Sequence, residues 1–399
     1  MTDPRMIRAK SGTNHEGTSA HNRRVMIDAL RVNGALSRAD LARATRLTKQ
    51  TVSNIIEELE RDGLVVPQAT VRKGRGQPST PYALVPTGAF AIGLQIDRYV
   101  TRAVAVDLMG TQLARAEADL PAGGPANGIM VVLELIAGVR GELAKVAAES
   151  EKRLVGLGVA MPGPFDVEGA DNDQWMMEAW QKFPLLETLA ARTGLNVGLQ
   201  NDAAACATAE RMVGAAHGLD NVVCLYLGYG IGAGLILNSE LYSGASGNAG
   251  EIGMALLSAG DPKRTALEHR ASLASLYLHL GIDPAAQGVH DEIGRLAAED
   301  NPRLREWVSE AAGNLRWAVH LVETIFDPQT VIVCGGAPEA LARRLLAAME
   351  PLLPSIADRP GRSLPRLTLG MTDPWSVALG AAAEPIGRAF DPRFCAIMK

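Results

Sequence analysis

No apolar run in this 399-residue chain approaches the roughly 18–20 residues that a membrane-spanning helix needs. Cysteine is equally scarce. The four present (Cys206, Cys224, Cys334 and Cys395) are scattered, with no C-x-x-C pair. That spacing excludes a disulfide scaffold and a zinc ribbon, and suits buried thiols in a reducing compartment. The opening stretch MTDPRMIRAKSGTNHEG has no apolar core, so it reads as a polar, disordered lead-in over 1–20 rather than a secretory signal. These absences together lead to the expectation of a cytoplasmic protein with no membrane partner. What is present, 47% hydrophobic and 21% charged residues, is the balance of globular domains, and the length allows two or three of them.

The net charge of −5 is unevenly placed. Residues 1–90 hold 14 Lys and Arg against 8 Asp and Glu, a net +6, which leaves 25 against 36, a net −11, for the rest. A basic head on an acidic body points to a polyanionic partner for the head. In HNRRVMIDALRVNG, helical periodicity sets Val25, Ile27, Leu30 and Val32 near one face, with Gly34 as the stop. SRADLARATRL follows, with Ser37 as N-cap and Leu41 and Ala42 inward. TKQTVSNIIEELERDG is capped by Thr48, apolar at Val52, Ile55, Ile56 and Leu59, and ended by Gly63. Three short helices, the last two tightly joined, make a helix-turn-helix. The β-prone runs of LVVPQATVRKGRGQPSTPYAL around a basic tip add a wing. The winged helix is expected over 21–86. Lys49, Gln50, Thr51, Ser53 and Asn54 crowd the N-terminal half of the third helix, where base edges are read. Arg72, Lys73 and Arg75 on the wing suit phosphates or a narrow minor groove.

The acidic body alternates strands, glycine-rich loops and helices. Strands are expected at 91–96 and 103–107 and a helix at 129–148. LVGLGVAMPGPFD runs from strand into loop, and VGLQNDAAACATAERMVG from strand into helix. NVVCLYLGYGIGAGLILNSELYSG is a hairpin with a glycine turn, and PQTVIVCGGAPEAL is strand, glycines, helix. Polar residues gather at strand ends, where α/β sheets bind ligands. On spacing alone Asp202 also fits a helix N-cap. The loop DNDQWMMEAW places Trp175 and Trp180 near the 161–164 turn in sequence, either to cover the apolar face of a ligand or to fill the core.

The stretches GLGVAMPGPFD, LQNDAAACATAE, LGYGIGAGLILNSELYSGASGNAGEIG, VIVCGGA and SVALGAAAEP occur in this order and resemble the ROK family of repressors and sugar kinases. The resemblance, closest to the family's transcriptional regulators, implies a two-lobed actin-like ATPase (ribonuclease H-like) α/β fold behind the winged helix-turn-helix. A first lobe is expected over 87–198, with a C-terminal helix at 376–395 returning to it. A second lobe over 199–375 would hold the ligand cleft and the dimerisation surface. The resemblance also implies roles. Asp202 falls at the family's catalytic-base position, and Asn201, Glu251 and Glu268 at sugar-hydroxyl positions. Gly163 and Asn248 lie in matching stretches and are expected to line the same cleft.

Two departures bear on activity. Kinases of this fold carry Asp-x-Gly-Gly-Thr between their first two strands, where backbone approaches phosphate. The matching residues here are Gln95, Ile96, Asp97, Arg98 and Tyr99, whose side chains fill that space. The family's zinc-binding histidine is replaced by Met254, and SAGDPKRTA before Glu268 has no thiol. Neither zinc nor ATP is therefore expected as a cofactor. The expectation is a non-enzymatic regulator, a repressor of carbohydrate genes that binds operator DNA as a homodimer or dimer of dimers and senses a sugar or sugar derivative. An active sugar kinase with a DNA-binding head, and a ligand-free dimeric DNA-binding protein, are the alternatives.

Overall fold

The computed structural model describes residues 15–70, 79–165, 177–258 and 265–392. It divides into two compact units, one running to Gly88 and including Ala389–Pro392, the other Ala89–Arg388. Among the described residues, no helix is long and apolar enough to cross a membrane.

The first unit contains α1 (His15–Asn33), β1 (Leu36–Ser37), α2 (Arg38–Thr45), α3 (Lys49–Arg61), β2 (Val65–Pro67) and β3 (Pro81–Leu84). Helix α1 starts at His15, inside the stretch read as a lead-in. Its buried face is Met26, Ile27 and Leu30, whereas Val32 is exposed. A step of two residues turns a helix by about 200°, so Val32 cannot share a face with Leu30. The capping expectations hold: Ser37 accepts from the Asp40 backbone N–H and Thr48 from that of Thr51. Val52, Ile55, Ile56 and Leu59 form the buried stripe of α3. Strands β2 and β3 pair antiparallel, Val65 opposite Leu84, as the two sides of a wing. Arg72, Lys73 and Arg75 lie outside the described residues.

The second unit holds two five-stranded sheets of the same design. The first is built from β4 (Phe90–Ile96), β5 (Val100–Asp107), β6 (Gln112–Asp119), α4 (Pro125–Val146), β7 (Leu154–Ala160), α5 (Glu178–Lys182), α6 (Leu185–Thr193) and β8 (Val197–Gln200). After α7 (Asp202–Val213) comes the second, from β9 (Val222–Leu227), β10 (Ile231–Leu237), β11 (Glu240–Leu241), α8 (Glu268–Ala271), α9 (Leu273–Leu280), α10 (Val289–Ala298), α11 (Pro302–Phe326), β12 (Thr330–Cys334), α12 (Glu339–Met349), β13 (Leu367–Leu369) and α13 (Ser376–Phe390). The strand orders are β6-β5-β4-β7-β8 and β11-β10-β9-β12-β13. In each, the third, second and first strands pair antiparallel, and the fourth and fifth add in parallel.

Between the sheets lie α7 and α13, whose contact faces are almost without side chains. A Cβ on Gly93 or Gly158 would come within 2 Å of the α13 backbone, and one on Gly380 would lie 1.7 Å from the Ala205 carbonyl oxygen on α7. The core there is small: Ala160, Ala203, Ala205, Ala207, Val377 and Ala381, with the buried free thiols Cys206, Cys224 and Cys334. Cys395 lies outside the described residues. Close helix and strand contact brings the C-terminal ends of both sheets to one cleft.

Candidate functional site

The exposed face of α3 is the first candidate surface. Lys49, Gln50 and Asn54 are exposed and Thr51 and Ser53 half-buried. The Gln50 amide donates to Asn54 Oδ1 at 2.9 Å, which aligns two side chains one turn apart. The first turn of α3 carries no acid, so its free N–H groups remain suited to an anion. Thr48→Ala removes the cap and is expected to lower the stability of this unit by about 1 kcal/mol, read as an earlier melting transition.

The second candidate is a cleft of about 510 Å³, part of it open to solvent, whose lining includes Arg98, Gly163, Asn201, Asp202, Glu251 and Glu268. Chain geometry sets each residue. Asn201, not Asp202, is the N-cap of α7: its Oδ1 accepts from Ala204 N–H at 2.7 Å. Its Nδ2 donates to Glu251 Oε1 at 3.2 Å. Asp202 is thereby left as the first helical residue, 7% exposed, and its Oδ1 has no partner. A Cβ at Gly163 would sit 2.8 Å from Glu251 Oε1, so glycine here makes room for that carboxylate. The Glu268 carboxylate lies over Gly230 and Gly253, where a Cβ would approach Oε2 to 3.3 and 3.2 Å.

The loop wall is held from outside the cleft. Gln181 donates to the carbonyl oxygens of Pro162 and Pro164 at 3.0 and 3.1 Å. Asn248, expected to meet ligand, does not join the lining. Its Oδ1 accepts from Phe165 N–H and its Nδ2 donates to Phe165 O, both at 2.9 Å, so its amide is spent on positioning the loop. Trp180 is 4% exposed in the first-lobe core, edge-on to Phe183. Trp175 lies outside the described residues.

At the other wall, the β4–β5 turn carries a half-buried ion pair. Arg98 Nη1 donates to Asp97 Oδ1 at 2.9 Å, and the arginine side chain is only 4% exposed. Its guanidinium lies 4.3 Å from the centre of the Tyr229 ring, in the glycine turn between β9 and β10. Tyr229 also meets Tyr99 and Tyr277, at centroid distances of 6.4 and 6.3 Å. Sequence alone identified Asp97 and Arg98 as obstructions. It missed that Arg98 reaches across to the second lobe, for which the one signal was a tyrosine inside the glycine turn. Gln95, where a metal-placing acid would stand, is buried with Oε1 unpartnered.

The electrostatics follow from burial. Desolvation pushes Asp202 well above the usual carboxylate range; Asp97 and Glu251 add to the rise and Arg98 opposes it. Glu251 is raised by burial against the pull of the Asn201 amide. Glu268 is raised to about 7, first by burial and then by Glu251, with Arg98 opposing. The donor set differs from the family's zinc site. Met254 stands at the histidine position and lines the cleft, and among the described residues no group of three or more His, Cys, Asp or Glu is placed to hold a metal.

The xylose repressor of Caldicellulosiruptor bescii is 25% identical, over 81% of this chain and 85% of its own. The beta-glucoside kinase of Klebsiella pneumoniae is 30% identical, over 46% of this chain and 64% of its own. The crystal structure of a ROK family transcriptional regulator, a homologue of the E. coli MLC protein, shares the fold with a TM-score of 0.69 and 21% identity, covering 94% of this chain and 97% of that one. The MarR family profile matches residues 26–76, across the helix-turn-helix. The ROK family profile matches residues 91–383, both lobes and the cleft between them, and the chain belongs to the ROK family.

Proposed function

We propose that this protein is a cytoplasmic transcriptional repressor of carbohydrate genes, with the 21–86 head on operator DNA and the cleft sensing a sugar or sugar derivative. The observation that carries this reading is the half-buried Asp97–Arg98 pair, its guanidinium laid against Tyr229. A side-chain ion pair occupies the turn that a phosphoryl-transfer enzyme must keep for phosphate. Asp202, Glu251 and Glu268 line the cleft opposite, where they would accept from sugar hydroxyls, and the similarity to a xylose repressor supports the same direction. Neither ATP nor zinc has a role in this reading, and the protein is not an enzyme. Asp202 accepts a hydrogen bond from the bound sugar where a kinase would take its proton.

Lys49, Gln50, Thr51, Ser53 and Asn54 read base edges, and Arg72, Lys73 and Arg75 hold phosphates. Two copies, or two pairs of copies, joined through the 199–375 lobe read a palindromic site, because two-fold proteins match two-fold operators. Sugar binding shifts the population of head spacings and so the operator affinity. Footprinting on DNA upstream of the protein's own gene tests this. A protected palindrome that weakens with one sugar is expected, and absence of specific binding with or without sugars refutes it. Gln50→Ala is expected to cost about 1–3 kcal/mol at one base position and leave non-specific binding unchanged.

Retention of Asp202 at the base position, with the similarity to a beta-glucoside kinase, favours catalysis as the second reading. A coupled ATPase assay across hexoses decides between them. Turnover abolished by Asp202→Asn would establish the kinase.

A further inference from the structure

Positive φ is uncommon outside glycine, because Cβ then crowds a neighbouring carbonyl oxygen. Five described non-glycine residues adopt it: Arg46, Asn238, Ser239, Asp300 and Asp327. Asn238 and Ser239 form the tight turn between β10 and β11, and short polar side chains tolerate this region best. Asp300 is held by Arg305 and Arg344, and Asp327 by Arg359. Arg46 stands apart. It is the left-handed cap of α2, at φ 58° and ψ 22°, a place that favours glycine. Its long side chain is exposed, and among the described residues no carboxylate or carbonyl pairs with it. Nothing within the chain therefore offsets the strain.

The chain on either side of Arg46 is fixed. Thr45 Oγ1 donates to the Leu41 carbonyl oxygen at 2.7 Å, and Thr48 caps α3. The guanidinium is thus carried on a set turn, three residues before Lys49 and the exposed face of α3. Charge there has one sign: residues 41–56 include Arg43, Arg46 and Lys49 and no acid. Arg43 is ion-paired with Asp40 of its own helix, whereas Arg46 is uncommitted. Resting on the reading of the head as the DNA-binding part, we propose that Arg46 is a phosphate anchor. Its planar fork of N–H donors meets a backbone phosphate of the duplex and fixes how α3 sits in the groove. Such a contact carries no sequence information, so Arg46 is a positioning residue and the base readers remain on α3.

Fluorescence anisotropy of the full-length protein tests this on a labelled duplex of arbitrary sequence, about 30 base pairs long, from about 50 to 200 mM salt. Arg46→Ala is expected to weaken binding about threefold to tenfold at low salt and to flatten the log–log salt slope by about 1 per head engaged. Arg46→Lys keeps the charge and is expected to keep the slope. Arg46→Gly is expected to bind as weakly as Arg46→Ala yet to melt no earlier than the parent, because glycine relieves the positive φ. A residue that only supports the fold would lose stability and binding together. Parent affinity and slope in Arg46→Ala, or a flattened slope in Arg46→Lys, overturns the anchor and leaves the DNA-binding head standing. Melting of Arg46→Gly well below the parent overturns it as well, by making the arginine structural. A parent protein that binds no duplex overturns the reading of the head itself.

Discussion

Gly380→Leu is expected to prevent the 89–388 unit from folding, with the chain recovered mainly as aggregate. The position sits where α13 crosses α7, and a Cβ there would lie 1.7 Å from the carbonyl oxygen of Ala205 and 2.3 Å from its carbonyl carbon. These are backbone atoms of a buried helix, so no rotamer change relieves the clash. One helix must move outward by more than an ångström. Such a move also separates α13 from Gly93 and Gly158, where the approach is equally tight. Overpacking a well-filled core costs about 1–3 kcal/mol where side chains can adjust, and more where only backbone can yield. Gly313→Ala is the matched control. Gly313 is an exposed glycine inside α11 with nothing within 4 Å of a Cβ, so alanine there is expected to stabilise by about 0.5–1 kcal/mol. Thermal melts of the two variants decide the matter. A Gly380→Leu protein that melts within a few degrees of the parent would show that the helix crossing is not rigid.

That crossing was invisible in the sequence for a physical reason. Its glycines and alanines carry no hydrophobic periodicity; GAAAEP looks like any good helix former until the backbone it touches is known. The winged-helix face was legible because Val52, Ile55, Ile56 and Leu59 repeat at helical spacing and Thr48 supplies a cap. Strand β6 went unrecognised. QLARAEAD alternates inward and outward, but its inward positions are mostly alanine and its outward ones charged, as suits the edge of a sheet. The repetition of one strand order in both lobes also leaves no trace in residue identity, since a topology is kept by pairing rather than by particular side chains.

At the cleft, residue types were informative and partners were not. Glu251, Glu268, Asn201 and Asp202 do converge. Which of the neighbours Asn201 and Asp202 caps the helix, and whether Asn248 faces ligand or Phe165, depends on loop closure between distant segments. Arg98 shows the same limit. Its bulk was evident from its position in the turn, but its reach to Tyr229 joins residues 131 positions apart and belongs to the tertiary fold.

Glu268→Gln is expected to leave stability unchanged near pH 4.5 and to raise it at pH 8 by about 3 kcal/mol, a shift of the melting temperature of about 5 °C. Burial raises the Glu268 carboxyl from 4.5 to about 7 in the folded protein, with Glu251 adding to the rise and Arg98 opposing it. The folded state therefore holds a proton that the unfolded chain releases between those two values. A group with its folded pKa raised contributes stability that is fully present below the unfolded value, here 4.5, and lost as pH climbs through the folded one. Glutamine has no proton to lose, so the curves of the two proteins should coincide in acid and separate between about pH 5 and 7. The other groups around the cleft, Asp97, Arg98, Asp202, Tyr226, Tyr229 and Glu251, are present in both proteins and largely cancel in the difference. Melting curves taken at intervals from pH 4.5 to pH 8 give the answer directly. Parallel curves across that range would mean that Glu268 titrates like an exposed carboxylate, and that water reaches it as the open part of the cleft permits.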